Sequence, residues 1–172
     1  EAGAGSDAAA LETTARRQKG GYRLNGSKIF ITNGAEAEIA LVFATVDKSL
    51  RHRGITGFII ERGTPGFSVG KHESKLGIRA SWTNAIHYEN VKIPVENICG
   101  SVGAGFKVAM GVLNHGRMGL AAGSVGAAKN ALKASIEHAN ERVQFQKKIG
   151  EFGMIKEKIG RMAMNIYAAE SV

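Results

Sequence analysis

The first residues with a spacing that could do chemistry open the chain. Gly3-Ala4-Gly5-Ser6-Asp7-Ala8 fits G-x-G-x-x-A, in which glycines let backbone N–H groups approach a pyrophosphate at a helix N-terminus. That use needs a strand before the loop and a βαβ unit around it, and a polar segment follows instead, so the spacing alone is weak support for a phosphate role. Gly103-Ala104-Gly105-Phe106-Lys107 has the same ambiguity and reads more simply as a loop entering a helix. The five histidines, His52, His72, His87, His115 and His138, are too far apart for a local metal pair. The single cysteine, Cys99, excludes an intramolecular disulfide and any multi-cysteine zinc site and suits a reducing compartment. Spacing nominates no Ser/His/Asp or Cys/His set. Lys147-Lys148 and Arg51-His52-Arg53 read as solvated turns.

The elements that must carry these residues change character near residue 100. Both prolines, Pro65 and Pro94, lie before it, as do most turn signals. Asn25-Gly26 predicts a type I′ hairpin turn between Tyr22-Arg23-Leu24 and Ser27 to Ile31, since it supplies two residues that tolerate positive φ. Further strands are expected at Ile39 to Thr45, Ile55 to Glu61, Phe67 to Val69 and Ala85 to Ile93, making residues 1–100 a β domain. After Gly100, Leu113, Leu120, Ala128, Leu132 and Ile136 recur near helical spacing. Residues 119–128 are small enough for another helix to approach closely, and Gly119, Gly123 and Gly126 each cost a helix about 1 kcal/mol relative to Ala. Phe152, Ile155, Ile159, Met162 and Ile166 predict the stripe of a bundle helix. Residues 101–172 are thus expected to begin a helical bundle, and the fold class is α+β.

The 172 residues carry a net charge of +8 with 44% hydrophobic and 22% charged residues, the composition of a globular protein with a real core. Basic residues are dispersed, without an RNP-like or Cys/His finger pattern, so no nucleic-acid partner is expected, and a small anionic ligand explains the excess equally well. No apolar run reaches the roughly 20 residues of a transmembrane helix. The acidic, glycine-rich opening lacks an initiator Met and the pattern of a signal peptide, and is expected to belong to a longer chain.

Read in order, several runs resemble the acyl-CoA dehydrogenase family. They are Glu1-Ala2-Gly3-Ala4-Gly5-Ser6-Asp7, Leu24-Asn25-Gly26-Ser27-Lys28, Phe30-Ile31-Thr32-Asn33-Gly34, Lys75 to Ser81 and Val91 to Asn97, then Gly105 to Met110, Gly116-Arg117-Met118-Gly119 and Arg142-Val143-Gln144-Phe145. The helical part, with Leu113 to Arg117 and Glu151-Phe152-Gly153, looks most like the very-long-chain branch. The resemblance implies a middle β-barrel or sandwich-like domain followed by the first helices of a C-terminal four-helix bundle. It also implies an enzyme that oxidises a fatty acyl-CoA to its trans-2-enoyl thioester on non-covalent FAD in fatty-acid β-oxidation. An electron-transferring flavoprotein would reoxidise it, in a dimer or tetramer of the mitochondrial matrix or bacterial cytoplasm. An acyl-CoA oxidase or a dehydrogenase-like assembly protein would share these segments. The former differs in its electron acceptor, the latter in lacking a downstream catalytic glutamate.

By the same resemblance, Gly5 and Ser6 lie against FAD, with Ser6 also at the acyl-CoA, and Phe30, Ile31 and Thr32 flank the isoalloxazine. Phe30 replaces the usual tryptophan and loses its N–H donor. Asn114, His115, Gly116 and Arg117 match the substrate-CoA segment, Asn114 replacing a frequent aspartate. Arg142, Gln144 and Phe145 match a stretch that contacts FAD across a subunit interface, where a guanidinium fork suits a pyrophosphate. In some branches the catalytic base directly precedes the arginine matched by Arg117, and that position is Gly116. No catalytic residue is therefore expected within residues 1–172, and no metal ligand.

Overall fold

The computed structural model describes residues 1–172 and divides into two compact units, Glu1–Gly111 and Val112–Val172. The first is built on β1 (Thr14–Gln18), β2 (Gly21–Thr32), β3 (Ile39–Thr45), β4 (Ile55–Glu61), β5 (Phe67–His72), β6 (Thr83–Pro94) and β7 (Ile98–Cys99). They form one sheet in the order β5-β6-β2-β1-β3-β4-β7, antiparallel except for a single parallel bridge, Thr14 to Thr45, between β1 and β3. The sheet does not close into a barrel, for β5 and β7 are its two outer strands. Its core is Leu24, Val42, Phe58, Ile60, Ile86, Tyr88, Val91 and Ile93 with their neighbours. The predicted strands at Ile39–Thr45 and Ile55–Glu61 are present with those bounds, and the other two are longer than expected.

The Asn25-Gly26 turn is not there. β2 runs straight through it, and the chain reverses instead at Lys19-Gly20, between the paired residues Gln18 and Gly21, with Gly20 at φ +81°. Asn25-Gly26 faces a bulge in β6: Leu24 pairs with Val91 and Gly26 with Tyr88, so Glu89 and Asn90 oppose Asn25 alone. Asn90 takes φ +53°, and its N–H donates to Asn25 Oδ1 at 2.8 Å. That extra residue also explains why the buried positions of β6 shift from Ile86 and Tyr88 to Val91 and Ile93. Gly26 is required for a different reason from a turn: a Cβ there would lie 2.6–2.8 Å from Thr13. The polar segment expected after Asp7 contains β1, whose run of charged and polar residues hides only one core position, Ala15.

The long helix α1 (Gly105–Glu141) starts in the first unit and supplies the longest element of the second. Its first turn is held on β4: a Cβ at Gly105 would lie 2.7–2.8 Å from the Thr56 and Gly57 backbone, and Gly103 N–H donates to Thr56 Oγ1 at 2.9 Å. The Gly103 to Lys107 run is thus a loop entering a helix, as read from the sequence. In the second unit α1 is followed by a short hairpin, β8 (Val143–Gln144) with β9 (Lys147–Lys148), and by α2 (Gly153–Glu170). The stripe predicted for α2 holds, since Ile155, Ile159, Met162 and Ile166 are its half-buried positions and Phe152, also half-buried, is its N-cap. On α1 the stripe is displaced: Val125, Ala128, Leu132 and Ala139 lose solvent, whereas Leu113, Leu120 and Ile136 stay exposed. A Cβ at Gly119, Gly123 or Gly126 would meet nothing within 4 Å, so packing inside this chain does not account for these glycines.

Candidate functional site

In the first unit the site candidates cluster where β1 begins. Between Gly21 and Asn25, β2 is paired with β1, and beyond that it continues to Thr32 with no partner on that side. β3 likewise extends from its bridge at Thr45 back to Ile39. The two strands, bridged by β1 only up to Thr14, leave a cavity of about 380 Å³. Ile31, Thr32, Leu41 and Phe43 line its sides and Phe67, Ile86 and Tyr88 also border it. Burial pushes the Tyr88 phenol up from its ordinary value, so this wall stays uncharged.

A second bulge shapes the rim. Lys28 pairs with Ile86 and Ile31 with Asn84, so Ile29 and Phe30 oppose one residue. Phe30, 66% exposed, sits at φ +57°, a conformation that a bulky L-residue adopts only at a cost of order 1–2 kcal/mol. Asn33 follows at φ +59° and its N–H donates to Trp82 O at 2.8 Å. Phe30-Ile31-Thr32 is therefore an exposed aromatic face beside an unpaired strand edge and an apolar cavity.

The opening segment is tied to the same place. Lys28 Nζ lies 2.6 Å from Glu1 Oε1 and donates to Phe43 O at 2.8 Å, spanning from β2 to β3. Glu1 also accepts from Thr13 Oγ1 and from Glu12 N–H, each at 2.6 Å. Burial by itself would raise the Glu1 carboxyl, but the hydrogen bonds from Lys28, Thr13 and Glu12 outweigh it and lower the pKa to about 2. From this anchor Gly5 and Ser6 are presented in the open, with nothing within 4 Å of a Cβ at Gly5.

In the second unit the candidates form two separate groups. Asn114 to Arg117 lie on α1, where Arg117 Nη1 donates to Asn114 Oδ1 at 3.1 Å. Arg142, Gln144 and Phe145 lie past the other end of that helix, about 35 Å away at 1.5 Å per residue. Phe145 and Gln146 are the two central residues of the β8–β9 hairpin and both have positive φ, +52° and +64°. This is the type I′ geometry expected at Asn25-Gly26, adopted by two residues that are poor at it. Phe145 is 88% exposed, stands perpendicular to Phe152 with 6.2 Å between ring centroids, and is held out at the hairpin tip.

Two family profiles match in sequence order: the acyl-CoA dehydrogenase middle domain over residues 1–91 and the acyl-CoA dehydrogenase C-terminal domain over residues 103–172. The chain belongs to the acyl-CoA dehydrogenase family. It is 48% identical over its whole length to the short-chain specific acyl-CoA dehydrogenase of Megasphaera elsdenii, of which it covers 45%. It is 44% identical to the human very long-chain specific enzyme, covering 100% of this chain and 27% of that one. Among solved structures, an acyl-CoA dehydrogenase of Bacillus anthracis complexed with FAD superposes with a TM-score of 0.90 at 42% identity, over 99% of this chain and 30% of that one. A chain from the electron transferring flavoprotein work on Acidaminococcus fermentans superposes at 0.93 with 46% identity, over 99% and 45% of the two chains. The chain thus spans less than half the length of these relatives.

Within the first unit, the structure brings Ile31 and Thr32 to one cavity with Phe30 at its rim and ties the segment that carries Gly5 and Ser6 to the same end of β2; within the second, it holds Asn114 to Arg117 apart from Arg142, Gln144 and Phe145. It adds Lys28 and Glu1, which sequence reasoning placed in motifs without giving them a role. The signal for them was a glutamate in Glu1 to Asp7 and a lysine in Leu24 to Lys28, two of the family-like runs. Nothing local in the sequence said that they would meet.

Proposed function

We propose that this chain is the middle domain, residues 1–100, and the beginning of the C-terminal helical domain, residues 101–172, of an FAD-dependent enzyme that oxidises a fatty acyl-CoA to its trans-2-enoyl thioester. The observation that carries the reading is the Phe30 bulge: an aromatic ring held out at positive φ, beside an open strand edge, on the residues that match the family's flavin segment. The residues fit the cofactor. Phe30 offers a flat apolar face, the edge of β2 beyond Asn25, which β1 leaves free while β6 pairs the other side, offers hydrogen-bonding groups to a ring edge, and Gly5 and Ser6 leave room for close approach. Arg142 and Gln144 are polar partners for the pyrophosphate and neighbouring groups, and exposed Phe145 adds an apolar contact from a second copy of the chain.

When bound, FAD supplies the hydride acceptor for the substrate β-carbon. The Arg117 guanidinium, aligned by Asn114, holds the anionic CoA end, with His115 and Gly116 in the same segment and Ser6 at the thioester side. Gly116 has no carboxylate, so the α-proton goes to a base outside these residues. An electron-transferring flavoprotein takes the electrons, in a homo-oligomer of the mitochondrial matrix or the bacterial cytoplasm. No helix here is long and apolar enough to cross a membrane.

The test uses the full-length protein. Phe30→Ala should lose most of its flavin absorbance on gel filtration, and Phe30→Trp should keep it. Arg117→Ala should raise KM for acyl-CoA with a smaller effect on kcat, and Arg117→Lys should restore it only in part because an ammonium lacks the planar fork. Full flavin retention in Phe30→Ala together with unchanged KM in Arg117→Ala would defeat the assignment.

A further inference from the structure

Three cations stand side by side across the sheet at the end of β2 opposite to the cavity. β1, β2 and β6 pair so that Arg16 lies opposite Arg23, and Arg23 opposite Lys92. Residues directly opposite in an antiparallel ladder point to the same face. The adjoining row, Ala15, Leu24 and Val91, is buried in the core, so the cationic row points outward. Lys19 extends it into the β1–β2 turn. The chain's five ion pairs all lie elsewhere, and the only side-chain hydrogen bond in the row is from Arg23 Nε to the neutral Gln18 Oε1 at 3.1 Å.

Like charges in register weaken a ladder, so folding alone gives no reason for this arrangement. Arg23 and Lys92 of the row, with Lys19, Gly20 and Pro94 among others, line a cavity of about 380 Å³, and Arg16 continues the row beyond it. The cavity floor is kept at backbone level by Gly21, where a Cβ would lie 2.1 Å from Ile93 O.

We propose that this row is a docking site for an acidic polypeptide segment of a partner protein, one that presents neighbouring carboxylates. Strands about 4.8 Å apart set the cations at a spacing close to that of carboxylates on adjacent strands, or of residues three or four apart on a helix. No residue lining the cavity is an exposed large apolar side chain that could enter a lipid layer, and its one aromatic, Tyr22, is buried and cannot stack on a base. Charge complementarity with a protein carboxylate cluster is what the surface offers. The site shares no residue with the flavin and CoA assignments and stands independently of them.

The experiment measures binding of a fluorescein-labelled hexaglutamate peptide to the full-length protein by anisotropy at low salt. Binding is expected to weaken about tenfold or more in the double variant Arg16→Glu/Lys92→Glu and to fall steeply with added salt. The charge-matched control Lys48→Glu/Lys71→Glu should stay within about twofold of wild type. Arg16→Gln/Lys92→Gln should melt no lower than wild type, since repulsion is relieved, while losing peptide affinity. Equal loss in both charge-reversal variants would reduce the site to the general field of a +8 chain and overturn the proposal. So would absence of peptide binding, tighter binding to phosphatidylglycerol vesicles than to the peptide, or a lower melting temperature in the glutamine double variant.

Discussion

Residues Glu1–Gly111 and Val112–Val172 bury themselves in different ways. In the first unit Leu24, Phe58 and Val91 are fully buried by neighbours on the same sheet. In the second, Ala139 alone among the hydrophobic residues is buried, and α1 shows Leu120 at 73% exposure. A sheet satisfies its inner face with side chains brought from distant parts of the sequence. Two helices and a short hairpin cannot enclose a core of that kind, and much of the apolar surface of α1 and α2 stays open within this chain. The site candidates follow the same division. Those of the first unit are held by bulges, an ion pair and strand edges, whereas those of the second are displayed on an exposed helix or a strained hairpin tip.

Core truncation should separate the two units most widely. Phe58→Ala should cost about 3–5 kcal/mol in denaturant unfolding of the 172-residue chain, while Leu120→Ala should stay within about 0.5 kcal/mol. Comparable costs would mean that α1 is covered in solution by something this chain supplies.

The Glu1 anchor should come next. Glu1→Gln should destabilise the first unit by about 2 kcal/mol at pH 7, because it weakens a partly buried charged hydrogen-bond cluster. The folded carboxyl, at about 2, lies below its ordinary value of 4.5. Its contribution is therefore complete above about pH 4.5 and is lost as pH falls through about 2, so the wild-type and Gln curves should converge across that window. A difference that persists unchanged at pH 2 would assign the effect to shape alone.

Glycines should respond with opposite sign in the two units. Gly26→Ala should cost about 1–3 kcal/mol, since its Cβ would press on Thr13 and its φ is +149°. Gly119→Ala should stabilise helix α1 by up to about 1 kcal/mol, since its Cβ meets open space. Thermal melts of the two variants decide it, and a destabilised Gly119→Ala would reveal a neighbour pressed against that face.

The smallest effect is expected at the hairpin tip. Gln146→Gly should raise stability by up to about 1 kcal/mol by relieving positive φ at +64°, measured as a shift in denaturation midpoint. If it lowers stability instead, the Gln146 side chain is contributing contacts that outweigh the backbone cost.

Much of this molecule could be read from short-range pattern. The apolar runs Ile39–Thr45 and Ile55–Glu61, the 3-and-4 stripe of α2, the change of period near residue 100 and the order of the family runs all depend on residues close in the chain, and each was legible there. Asn25-Gly26 was misread because Asn-Gly tolerates a turn without requiring one. The glycine answers to Thr13 and the asparagine to a bulge 65 residues away. β1 was hidden by its polar composition, since a strand with two neighbours and one buried side chain shows little apolar alternation.

By itself the sequence determined the α+β order, most element positions, the family and the residue types of the candidate site, because propensity, periodicity and motif spacing are local properties. Only the tertiary structure decided that Glu1 meets Lys28, that Phe30 is thrust outward by a bulge, that a cavity opens beyond the start of β1, and that Arg16, Arg23 and Lys92 fall into one row. Each of these depends on strand register. Register is set by which distant side chains fill one core together, and moving it by a single residue turns every side chain to the other face.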